Sequence, residues 1–145
     1  MRYRVETIIN LPRDRVIELF DDPDTLGKWQ DGFLGIELIE GEPRTDGSKS
    51  RLRYASGRGE MEMIETITKY DLPDEFSCTY EADGVLNIHK NFFTEEDGAT
   101  RWVADTEFRF SRFGMKIMGA LMPFMFKSQT KKMMADFKAF AEATG

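Results

Sequence analysis

The chain has one cysteine and one histidine in 145 residues. The lone cysteine, Cys78, excludes an internal disulfide and a cysteine-based metal cluster. The lone histidine, His89, leaves no second imidazole for a typical zinc site. Basic residues are the minority, 20 Lys and Arg against 26 Asp and Glu, and the net charge is −6. That balance argues against nucleic acid as a partner, because phosphate binding needs a basic face. No apolar run approaches the roughly 20 residues that span a bilayer. The opening MRYRVETIIN has no signal-peptide core. A cytoplasmic domain is the expectation. A nucleophile motif, a phosphate-binding glycine loop, repeats and low-complexity tracts are also missing. No metal or cofactor is expected, and the length suits one domain, 1–145, with a real core.

What is present is mostly strand pattern. Tyr3, Val5, Thr7 and Ile9 alternate with Arg4 and Glu6, which predicts a first strand. Pro12 opens a short helix, PRDRVIELF, at a position that suits proline. Asp22-Pro23-Asp24 starts a second, ending near Gly27 and Trp29. Six further strands are predicted at about Phe33–Glu40, Ser48–Ser56, Glu60–Tyr70, Glu75–Ala82, Val85–Thr94 and Thr100–Phe110. Turn residues separate them, among them Gly57-Arg58, Leu72-Pro73-Asp74, Asp83-Gly84 and Asp97-Gly98. The acidic run Glu95-Glu96-Asp97 reads as a solvated turn. A methionine-rich helix then runs from Phe113 to Ala143. Met115, Gly119, Met122, Phe126, Thr130, Met133, Phe137 and Phe140 recur at spacings of three and four, one face of a helix. Such flexible and aromatic side chains adapt to an irregular partner.

The turns set a register. With two-residue loops at Gly57-Arg58, Asp83-Gly84 and Asp97-Gly98, Tyr54 faces Met61 and Leu52 faces Met63. Tyr80 then pairs with Asn87, Cys78 with His89, Phe93 with Trp102, and His89 with Thr106. The inward face carries Met61, Met63, Glu65, Ile67, Phe76, Cys78, Tyr80, Asn87, His89, Asn91, Phe93, Trp102, Thr106 and Phe108. A bulged three-residue turn at both Asp-Gly sites would instead point Leu86, Ile88, Lys90 and Phe92 inward. Under the tight-turn register, Glu65, Tyr80 and Asn87 share one cross-strand row, and His89 and Thr106 the next. A buried carboxylate needs a partner, a raised pKa or bound water. The cluster suits orienting a carbonyl or hydroxyl, or moving a proton with Glu65 or His89 as base and Tyr80 as acid. Alternatively Glu65 faces water at a bulge and His89 is ordinary wall.

The candidate lining is therefore Tyr54, Met61, Met63, Glu65, Tyr80, Asn87, His89, Asn91, Trp102, Thr106, Phe108, Met122 and Phe126. The segment IMGALMPFMF (117–126) is apolar all round. Ile117, Leu121 and Phe124 lie opposite the inward stripe, and Pro123 is expected to kink or break the helix. Arg112, Lys116, Lys127, Lys131 and Lys132 flank it. A gate, a homodimer contact, a membrane-surface patch and simple cover by neighbouring elements are all open there.

The element order and four stretches resemble the SRPBCC superfamily, also called START-like or Bet v 1-like, in its polyketide cyclase/dehydrase and lipid-transport branch. The stretches are INLPRDRVIELFDDPDTLGKW, YDLPDEF, FTEEDGATRW and the closing KAFAEA. The resemblance covers essentially the whole chain, and its motifs mark the fold more than the chemistry. It implies an α+β helix-grip fold: a curved seven-stranded antiparallel sheet around a long C-terminal helix, with two short N-terminal helices. It also implies an apolar or amphipathic small-molecule partner held between sheet and helix. Two other expectations stand beside ligand carriage. One is a cyclase/dehydratase-like enzyme using Glu65, Tyr80 and His89. The other is a co-chaperone-like module resembling Hsp90 activators, acting through a surface.

Overall fold

The computed structural model describes residues 1–111 and 123–145. Strand β1 (Arg2–Ile9) leads into α1 (Arg13–Phe20) and, after a 3-10 turn at Pro23–Thr25, into α2 (Leu26–Trp29). Six strands follow: β2 (Phe33–Glu40), β3 (Lys49–Ser56), β4 (Gly59–Asp71), β5 (Glu75–Ala82), β6 (Val85–Glu96) and β7 (Ala99–Phe110). The C-terminal helix, α3, spans Pro123–Thr144. The turn between α1 and α2 is tied by side chains. Asp22 Oδ1 accepts from the Asp24 amide at 2.9 Å, and the Thr25 hydroxyl donates to Leu19 O at 2.8 Å.

The sheet is antiparallel in the order β1-β7-β6-β5-β4-β3-β2. Strands β2 to β7 form a meander, and β1 closes onto β7, so α1 and α2 carry the chain from one sheet edge to the other. The tight-turn register holds. Ala82 pairs with Val85 and Glu96 with Ala99 across two-residue turns. Asp83 (φ 43°), Gly84 (φ 78°), Asp97 (φ 51°) and Gly98 (φ 79°) all take left-handed backbone. Such turns match strand twist, and Asp-Gly tolerates them best. His89 and Asn91 are buried, while Leu86, Ile88 and Phe92 are only partly so. The bulged-turn alternative is thus excluded. A bulge does occur in β4, between Ile67 and Lys69, where Ile67 pairs with Cys78 but Lys69 with Ser77. The extra residue brings Tyr70 opposite Phe76 and onto the inward face.

The core lies at one end of the concave face. Phe137 is fully buried and meets the rings of Trp29, Trp102 and Phe20 edge-on at centroid distances of 4.9, 5.5 and 5.8 Å. The buried line of α3 is Met134, Phe137 and Ala141; Met133 and Phe140, expected inward, are only partly buried. The helix packs mainly on β1 and α2, which rotates its contact line by one residue on either side of Phe137. The small Ala141 side chain permits close approach where Phe140 would not. Farther up the helix, Tyr3 ties α3 to the sheet: its hydroxyl lies 2.6 Å from Thr130 Oγ1 and donates to Phe126 O at 3.1 Å.

Candidate functional site

The concave face divides into two halves. In one, Phe20, Trp29, Phe93, Trp102 and Phe137 fill the space between sheet and helices. Trp102 and Asn91 belong to this half, and their polar groups are already used. Trp102 Nε1 donates to Asn91 Oδ1 at 2.9 Å, and Asn91 Nδ2 donates to Phe76 O at 3.1 Å. Both side chains are thereby tied into the wall.

The other half holds the polar cluster. Ladder register sets Ser50, Glu65, Tyr80, Asn87 and Phe108 in one cross-strand row. Ile67, Cys78, His89, Thr106 and Tyr3 form the next. Burial raises the Glu65 pKa, and the nearby Tyr80 hydroxyl pulls it partly back. Burial also pushes up the Tyr80 phenol and the Cys78 thiol, with the Glu65 charge adding to both. Tyr54 is raised by the same two causes, and its hydroxyl donates to Gln30 Oε1 at 2.7 Å. His89 is pushed down to about 4 by burial and is a neutral imidazole near pH 7. Its Nδ1 lies 3.0 Å from Thr106 Oγ1, and its ring meets Tyr80 edge-on at 6.3 Å. Asn87 Nδ2 donates to Glu107 O at 3.3 Å. The cluster is thus one carboxyl, two phenols, a thiol and a neutral imidazole, a set that offers and accepts hydrogen bonds.

Apolar side chains surround it. Phe126 of α3 packs on Phe108 and Phe110 at 4.8 and 5.9 Å. On the far side, Ile36 and Leu38 of β2 share rows with Leu52–Met63 and Ser50–Glu65. They remain 39% and 43% exposed, and Met61 39%. Ile36, Leu38 and Gln30 were missed from sequence. The alternation of Ile36 and Leu38 with Glu37 was a usable signal for the first two; nothing in the sequence announces the Gln30–Tyr54 bond. Met122, and with it Met115, Ile117 and Leu121, lie outside the described residues, as does the stretch before Pro123 on which a kink depends. Phe124, the described part of that apolar segment, is 65% exposed.

Two open grooves lie elsewhere among the described residues. One, of about 490 Å³, runs between α2 and α3 and is lined by Trp29, Gln30, Lys132 and Phe140. The other, of about 400 Å³, sits at the β5–β6 turn. No three His, Cys, Asp or Glu side chains converge as a metal centre would need, and no helix is long and apolar enough to cross a membrane, among the described residues.

The antiparallel sheet and the long C-terminal helix packed on it define a helix-grip protein. The chain belongs to the family described as polyketide cyclase / dehydrase and lipid transport, which matches residues 1–142, within the SRPBCC superfamily. No curated protein sequence matches it. Among solved structures it is similar to TTHA0849 from Thermus thermophilus, at 15% identity and TM-score 0.77 over 100% of this chain and 99% of that one. It is also similar to major latex-like protein 151 from Panax ginseng, at 17% identity and TM-score 0.70 over 97% of each chain. A third is the AHSA1-like protein from Aeromonas hydrophila, at 21% identity and TM-score 0.73 over 100% of this chain and 94% of that one. At these identities the likeness establishes the fold.

Proposed function

We propose that the protein binds a small, mainly apolar molecule on the open half of its concave face, between the sheet and α3. The observation that carries this reading is the contrast between the two halves. Aromatic side chains fill one. In the other, Ile36, Leu38 and Met61 stay exposed around a desolvated carboxyl. Exposed apolar area beside a few convergent polar groups is what such a ligand requires: much contact area and little directional bonding. The family's description, which joins cyclase/dehydrase and lipid-transport members, supports the same class of partner. The protein purified without added ligand should be measured by native mass spectrometry, with extraction of whatever co-purifies. Amphipathic compounds that bind only the folded state should raise its melting temperature with concentration. If neither experiment finds a bound apolar molecule, the reading fails, and a surface-acting, co-chaperone-like role takes its place.

A second reading is favoured by one observation. Glu65 and Tyr80 are adjacent across β4 and β5, and a neutral His89 sits one row away. A carboxyl with a raised pKa beside a phenol suits proton transfer to and from a bound carbonyl compound. In this cyclase/dehydratase-like reading, turnover depends on Glu65. A Glu65→Gln variant that binds a compound normally but no longer converts it would establish the enzyme reading over the carrier reading.

A further inference from the structure

The inward wall differs from the outer one in charge, and this bears on what sits at its polar end. On the outer face of the same strands, arginines and carboxylates alternate. Arg51 and Arg53 face Glu62 and Glu60 at 3.7 and 3.4 Å, and Arg101 reaches Glu6 at 2.8 Å. On the inner face, no described strand position is a lysine or arginine. Its carboxylates are Glu65 and, at the far end of β6 opposite Thr100, Glu95, which accepts from the Arg13 amide at 2.7 Å; Glu65 is the one in the polar half. Around Glu65 stand Tyr80, Tyr54 and Cys78, all hydroxyl or thiol donors that can also accept.

We propose that the open half of the concave face selects an uncharged molecule ending in an alcohol or phenol hydroxyl, seated against Glu65 and Tyr80, and rejects anionic amphiphiles. This rests on the binding reading above and names its ligand class. A hydroxyl donates and accepts, so it matches Glu65 whether ionised or protonated and matches the Tyr80 phenol as well. An anion placed there meets no cation on the described wall. It either faces the Glu65 charge in a poorly solvated place or forces Glu65 to take a proton. An ammonium gains attraction from Glu65. It also loses a strong hydration shell, and its three donors find one carboxylate.

The test uses four probes with the same apolar body: naphthalene, 2-naphthol, 2-naphthoate and 2-(aminomethyl)naphthalene, titrated at pH 7 by equilibrium dialysis against the full chain. Naphthol should bind at least about tenfold more tightly than naphthoate, a difference of about 1.4 kcal/mol, and more tightly than the amine. In Glu65→Gln, which keeps an acceptor and removes the charge, the naphthol-to-naphthoate ratio should fall at least about threefold. A melting curve confirms that the variant is folded, and the comparison on the unaltered chain stands without it. Naphthoate binding as well as naphthol, or the amine binding best, overturns the inference. Equal binding of all four, naphthalene included, overturns it while leaving the apolar-binding reading intact. Failure of all four to bind overturns both.

Discussion

His89 is the chain's one histidine, so its titration is readable without assignment by mutagenesis. Burial holds its imidazole at about 4 in the folded protein, against 6.5 for an exposed one. Between those values the unfolded chain binds a proton that the folded chain refuses. Stability therefore rises with pH across this window and is lost as pH falls from about 6.5 toward 4. At about 1.4 kcal/mol per tenfold change in proton affinity, the full loss is on the order of 3 kcal/mol. Glu65 works in the opposite sense. Its raised folded pKa adds stability below the ordinary carboxyl range and withdraws it as pH rises through the folded value. The comparison that isolates His89 is therefore wild type against His89→Gln, where Glu65 is common to both. Glutamine keeps an acceptor for the Thr106 hydroxyl, which lies 3.0 Å from Nδ1. Urea unfolding of both proteins should be followed at intervals from pH 7.5 to 4. The stability difference between them should change by about 2–3 kcal/mol over that range, wild type losing more. In NMR, the single imidazole should show no titration midpoint near 6.5. Parallel stability curves, or an ordinary midpoint, would refute the placement of His89 as a desolvated wall residue.

The other predictions concern packing and the carboxyl. Phe137→Ala removes a fully buried ring that meets three other aromatic side chains; it should cost about 3–5 kcal/mol in denaturant unfolding. A loss below about 1 kcal/mol would mean that α3 is not seated as described. Asn91→Leu strands the buried Trp102 N–H, while the Phe76 carbonyl keeps its ladder partner, and about 1–3 kcal/mol should be lost for the orphaned donor. An unchanged melting temperature would show that bond to be dispensable. Glu65→Gln should stabilise the protein at pH 8 relative to pH 4, because the neutral amide escapes the cost of an ionised, desolvated carboxyl. The same increment at both pH values would place Glu65 in water.

Much of the sheet is legible in the order of residues alone. Asp83-Gly84 and Asp97-Gly98 are local signals. Their left-handed backbone admits few residue pairs, and a two-residue turn dictates which residues pair along the whole hairpin. Period-two alternation then assigns faces, so Cys78 opposite His89 and His89 opposite Thr106 follow from short-range chemistry. The bulge at Ile67/Lys69 carries no such signal, because Thr68 and Lys69 fit a regular strand equally well. Only pairing with β5 shows that Tyr70 turns inward.

The helix shows the same boundary. Periodicity marks the stripe through Phe137, and that local pattern is enough to bury one face of α3. Whether Met133 or Met134 lies at the contact depends on where β1 and α2 sit beside it, which spans chain separations of over a hundred residues. The division of the concave face is likewise set in three dimensions. Trp102 and Phe108 look alike in a strand of alternating apolar residues. Phe20, Phe93 and Phe137 converge on Trp102 and make it core, while Phe108 stands beside the Glu65–Tyr80–Asn87 row. Strand alternation chooses a side chain's face; which partners arrive to bury it is a property of tertiary packing.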